Sequence, residues 1–119
     1  MTWPAAAVSA HFIGEPDCSV AGDSLVCTFS IAGLGKGAVD ITVDVPAGCA
    51  NKPGHEPPCH ASATLENVKP RAGRVTATVV IPLTDCPPGL ISVIGDEATV
   101  TVTSAKTGEV LFEETVPIT

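Results

Sequence analysis

The sequence has no tyrosine, a single methionine and a single tryptophan, and aromatic residues make up only 3% of it: Trp3, Phe12, Phe29 and Phe112. A core built from this chain must be aliphatic, and the flat ring platforms that cover apolar sugar faces are scarce. Cations are few as well, with six Lys and Arg against thirteen Asp and Glu and a formal charge of −7. No stretch clusters those six, which argues against a groove that tracks phosphates, so no nucleic-acid partner is expected. An acidic lipid leaflet would repel the chain. No apolar run approaches the ~18 residues of a membrane span, so no membrane insertion is expected either. Nothing reads as a capped helix of ten residues or more. The length, 119 residues, suits one domain, and chains of this size bury roughly 65% of the surface that their unfolded forms expose.

What is present is alternation with a period of two, the mark of a strand with one face buried. In Ser24–Ala32, Leu25, Cys27, Phe29 and Ile31 share a face; in Ala38–Val45, Val39, Ile41, Val43 and Val45 oppose Asp40, Thr42 and Asp44. His60–Val68 alternates more weakly through Ala61, Ala63 and Leu65, and Arg74–Ile81 sets Val75, Ala77, Val79 and Ile81 on one side. Ala98–Ser104 places Val100 and Val102 against Thr99, Thr101 and Thr103. Glu109–Val116 aligns Val110, Phe112 and Val116, with Glu114 intruding on that face. Between these runs stand glycines and prolines suited to tight turns, at 21–24, 33–37, 69–73 and 106–108. Six or seven short strands at regular spacing predict an all-β fold: a two-sheet antiparallel sandwich of immunoglobulin-like type, with a small β-barrel as the alternative. Residues 11–119 form the domain in this reading. Residues 1–10 form a loose arm, in which Val8-Ser9-Ala10 resembles a signal-peptidase site without an intact signal before it.

Antiparallel alternation also places the five cysteines. It gathers Cys18, Cys27, Cys49, Cys59 and Cys86 at one pole, together with His55 and His60. Cys18 and Cys27 are symmetric about Gly22-Asp23 and are expected to bridge across a hairpin. Cys49, Cys59 and Cys86 leave three pairings for a second bridge; Cys49–Cys86 is favoured because it ties a long loop to the next connection at the same pole. Such bridges belong to an oxidising, extracellular setting. The competing reading of the pole is a zinc or copper site built from His55, Cys59 and His60 with Cys49 or Cys86. The spacing matches no paired Cys-x-x-Cys knuckle, and the late methionine of a blue-copper site is missing, so no cofactor is expected.

Catalytic patterns are equally thin. There is no Gly-x-Ser-x-Gly elbow, and adjacent Cys59 and His60 point apart in an extended segment. Asp40 and Asp44 read as solvated acids, and Asp96-Glu97 as an ordinary acidic turn. Gly33-Leu34-Gly35-Lys36-Gly37 joins two strands, with no helix N-terminus to receive a phosphate. The chain is expected not to be an enzyme.

Glu15-Pro16-Asp17-Cys18, Gly22-Asp23-Ser24-Leu25, Ile31-Ala32-Gly33-Leu34-Gly35, the Cys49…Pro53-Gly54 loop and Cys86-Pro87-Pro88-Gly89 resemble small secreted β-sandwich proteins of actinobacteria. The resemblance implies a fold and a compartment rather than a reaction; Cys27 and Cys59 stand outside its shared pattern. Some small secreted proteins of such bacteria are adaptors in extracellular assemblies, antibacterial toxin particles among them. The expectation is therefore a secreted, non-catalytic module that binds a protein partner through loops 46–60 and 82–90, helped by the N-terminal arm, since binding residues concentrate on loops held by a rigid scaffold. The candidate contact residues are Cys49, Asn51, Lys52, His55, Glu56, Cys59, His60 and Asp85, with Trp3 and Phe12 from the N-terminal segment.

Overall fold

The computed structural model describes residues 10–50, 60–83 and 86–119. Nine strands follow in order: β1 (His11–Phe12), β2 (Asp17–Ala21), β3 (Ser24–Ala32), β4 (Val39–Ala50), β5 (His60–Val68), β6 (Val75–Pro82), β7 (Ile91–Ile94), β8 (Glu97–Ser104) and β9 (Val110–Pro117). In one sheet β3 is central, flanked on one side by β6 and on the other by β1 and β2, which lie end to end along it. In the other, β4 is flanked by β5 on one side and by β7 and β8 on the other, with β9 outside β8. Every strand pairing is antiparallel; an isolated parallel bridge joins Cys18 to Ile118. The molecule is the two-sheet sandwich that the alternation predicts.

The inner faces follow the expected parity. Leu25, Cys27, Phe29 and Ile31 of β3, Val39, Ile41, Val43 and Val45 of β4, Val75, Ala77, Val79 and Ile81 of β6, and Ala98, Val100 and Val102 of β8 are all buried. Each fully buried Leu, Ile or Val contributes about 1.5–3 kcal/mol relative to an exposed one. No polar side chain is buried among the described residues. On the outer faces hydroxyls pair across strands, Ser30 with Thr76 at 2.9 Å and Thr42 with Thr64 at 3.0 Å. Phe12 wedges between the sheets, its ring edge-on to Phe29 of one (centroids 6.0 Å apart) and Phe112 of the other (4.9 Å).

Two departures from strict alternation have local causes. β9 carries a bulge: Val102 pairs with Phe112 and Thr103 with Val110, so Leu111 is the extra residue. The bulge reverses the facing of what precedes it, and Val110, expected inside with Phe112, is 56% exposed. Glu114 sits opposite buried Val100 but stays exposed. β9 is an edge strand, and an inward-directed charge there blunts pairing with another sheet.

The longer departure is β4. The alternation predicted a strand ending at Val45, before Pro46, yet β4 continues to Ala50. A proline lacks the N–H that a central ladder needs. Here it falls where β4 changes partners: Asp44 pairs with Thr99 of β8, and pairing resumes with Ala47 opposite Ile94 of β7. The Pro46 carbonyl accepts a 2.7 Å hydrogen bond from Gly95 N at that joint. β4 and β7 thus extend beyond the body of the sandwich as a two-stranded ribbon.

Candidate functional site

Strand direction defines two ends. β3 begins at the upper end, at the 21–24 turn, and finishes at the lower end, where it leads into the 33–38 loop. β6 finishes at the upper end, since Ser24 pairs with Pro82, and the β4–β7 ribbon projects there. Both expected disulfides are formed, Cys18–Cys27 and Cys49–Cys86. Both lie toward the upper end, the first beside Ile118 just past the end of β9 and the second at the ribbon. Cys18 and Cys27 are opposed residues of β2 and β3, both completely buried in the core between the sheets. The four described cysteines thus fall toward the expected end, Cys18 and Cys27 inside the core and Cys49 and Cys86 beside the cleft; Cys59 lies outside the described residues.

Cys49–Cys86 closes one side of an open cleft of about 480 Å³ at the upper end. Val20, Gly22 and Asp23 line it from the first hairpin, Leu83 and Cys86 from the connection after β6, and Ser92 and Ile94 from β7. Leu83 N donates a 2.9 Å hydrogen bond to Asp23 O, which fixes that connection to the hairpin. At the tip, Leu90 N bonds to Pro87 O at 3.1 Å, and Gly89 has φ of 90°. Pro88-Gly89 suits the central pair of such a turn, because proline fixes the first φ and glycine takes the positive one. The turn leads into Leu90 and Ile91, which are 38% and 42% exposed; Val20 at the cleft wall is 46% exposed. Large apolar side chains left in water beside a concave site are a recognised mark of interaction surfaces.

The sequence-derived residues distribute unevenly. Cys49 is held in its disulfide. His60 lies near the upper end opposite Pro46, but on the outer face of the sheet, where its Nδ1 is 2.9 Å from Asp44 Oδ2. Cys49 has the parity of buried Ala47 and Val45 and faces the other way, toward the cleft. His60 and Cys49 therefore do not converge, and Asp44 is the partner of His60 rather than a merely solvated acid. As a bridge, Cys49 and Cys86 offer no thiolates to the zinc or copper reading. Phe12 is half-buried against Phe29 and Phe112, and β1 pairs with Ile31 and Ala32 at the lower end, so it does not join the cleft residues. Trp3, Asn51, Lys52, His55, Glu56 and Asp85 lie outside the described residues. No described hydroxyl is hydrogen-bonded to the free edge of the His60 ring, so the His60–Asp44 pair lacks an attached nucleophile among the described residues.

Sequence reading overlooked Val20, Leu83, Ser92 and Ile94. The available signal was the short apolar run Leu90–Ile94 directly after Pro-Pro-Gly, a four-residue strand too short to show a period. Fold and site together define a disulfide-stapled β-sandwich with an apolar-rimmed cleft at one end. No family model, curated protein or solved structure matches the chain. Two internal disulfides suit an oxidising compartment, and among the described residues no helix is long and apolar enough to cross a membrane.

Proposed function

We propose that the protein is a secreted, non-catalytic adaptor that binds a protein partner at its upper end, within an extracellular assembly. The observation that carries this reading is the braced cleft. The Cys49–Cys86 bridge ties the end of β4 to the connection after β6, and the same end leaves Val20, Leu90 and Ile91 exposed. A preorganised rim of this kind lowers the entropy lost on association. Antiparallel sandwiches use end loops for recognition in many unrelated settings, so the reading rests on this site and not on the architecture.

A photo-crosslinking amino acid at Ile91, compared with one at exposed Val110 near the other end, tests it in the culture medium of producing cells. A discrete adduct is expected from position 91 alone, abolished by Leu90→Asp. Equal crosslinking from both positions, or an adduct that survives both Leu90→Asp and replacement of residues 50–58, refutes the site.

A further inference from the structure

The six cations are scattered along the sequence, yet the topology brings five of them to the lower end. Lys36 lies in the 33–38 loop, Lys69, Arg71 and Arg74 in the 69–74 connection, and Lys106 in the turn after β8. The three segments are joined by backbone bonds: Leu34 N donates to Gly73 O at 3.0 Å, and Ala105 N to Ala38 O at 3.0 Å. Gly73 lies against the 33–38 loop: a Cβ there would be in ordinary contact with it, 3.7 Å from Gly35 N. A shallow hollow of about 370 Å³ lies among Gly35, Lys36, Pro70, Ala72 and Gly73. All five cations are exposed, and none forms an ion pair or hydrogen bond through its side chain with a described residue.

Arg71 and Arg74 carry the argument further. Their backbones exchange both hydrogen bonds, at 2.9 and 3.0 Å, across a two-residue turn whose central residues, Ala72 and Gly73, have φ of 52° and 75°. Directly opposed residues of an antiparallel bridge project their side chains from the same face, and like charges so placed repel. An anion between the two guanidinium groups removes that repulsion and receives charge-assisted hydrogen bonds from both.

The geometry points to a second binding surface at the lower end, one that takes a compact cluster of carboxylates on an acidic protein. Three observations favour this over a polyphosphate or nucleic acid. The patch is an end cap on a body whose shorter extents are 26 and 23 Å, not a track. Its loops contain no aromatic residue on which a base could stack. All thirteen acids lie outside those three segments; Asp40, Glu66 and Glu109 flank the patch, and the other ten, with only Lys52 to offset them, give a long polyanion lying along the molecule a repelling surface. This surface is independent of the upper cleft; with it, the adaptor has two working ends.

A short oligoglutamate peptide is the probe, titrated into the ¹⁵N-labelled protein at low salt, with polyphosphate and duplex DNA as competing arms. Saturable shifts confined to 33–38, 69–74 and 105–108 are expected, weakened roughly tenfold by Arg71→Gln/Arg74→Gln and progressively by added salt. Lys36→Gln/Lys106→Gln should weaken binding independently, should the arginine variant fold poorly. Leu90→Asp should leave it unchanged, which separates this surface from the upper one. Preference for polyphosphate or DNA overturns the carboxylate assignment. Absence of binding, or shifts elsewhere on the molecule, overturns the surface.

Discussion

Replacing Cys49 and Cys86 together by serine is the sharpest test of how the upper end is held. The bridge spans 37 residues of sequence. Closing a loop of that length in the unfolded chain corresponds to about 4 kcal/mol at 25 °C in the chain-entropy account. The native state loses little packing, because both residues are only partly buried. It also regains some freedom in the 83–90 connection, which lowers the expected net loss to about 2–4 kcal/mol. Against a total stability of about 5–15 kcal/mol, the variant remains folded at room temperature. Urea unfolding followed by circular dichroism measures the loss. The m-value should rise, because the uncrosslinked chain exposes more surface on unfolding. A loss below about 1 kcal/mol at unchanged m refutes the loop-closure reasoning. The pair Cys18→Ala/Cys27→Ala gives the contrast. Its loop spans only 9 residues, but both cysteines are fully buried. The shorter loop gives about 2.6 kcal/mol from chain entropy, and the lost core contacts should raise the total to about 4–5 kcal/mol. A ranking that follows loop length alone would show that burial at Cys18 and Cys27 counts for little.

Three further substitutions probe separate features. Phe12→Ala removes the ring that touches both sheets and should destabilise by about 2–4 kcal/mol in thermal or urea unfolding, less than a fully buried Phe because Phe12 is half-exposed. Gly95→Ala sets a Cβ 3.1 Å from Pro46 Cγ at the joint where β4 changes partners; a loss of about 1–2 kcal/mol is expected, with faster amide exchange at 91–94. Ala72→Gly relieves a φ of 52° and should be neutral or stabilising by up to about 1 kcal/mol, whereas a loss would mean that the strain there is not real.

The interior was largely legible in the sequence because burial on one face of a strand imposes a period of two. Leu25 to Ile31, Val39 to Val45 and Val75 to Ile81 state it without interruption. Legibility failed where hydrogen bonding, not hydrophobicity, decided the outcome. A bulge at Leu111 turned Val110 outward, and nothing in that residue's chemistry signals it. Pro46 looked like a strand end, because a proline in a central strand is tolerated only at a break in the ladder, and that break comes from another part of the chain. The candidate site suffered for the same reason: its walls come from β2, β7 and the connection after β6, which no local window joins. Cys49–Cys86 was within reach, since topology alone brings both to one end. The cation cap was not, because Lys36, Arg71, Arg74 and Lys106 meet only through loop-to-loop backbone bonds.

β4 has a mechanical consequence. At about 3.3 Å per residue its twelve residues extend roughly 40 Å, in a molecule whose longest extent is 58 Å. Load applied between the two ends would run along this strand. Its ladders with β5, β7 and β8 lie perpendicular to that pull, so their hydrogen bonds share the force in shear instead of opening one after another. At the upper tip, where the ladder is shortest, the Cys49–Cys86 bond bears the tension covalently. In the proposed adaptor role, strain between two bound partners is expected to break their contacts before it breaks the module.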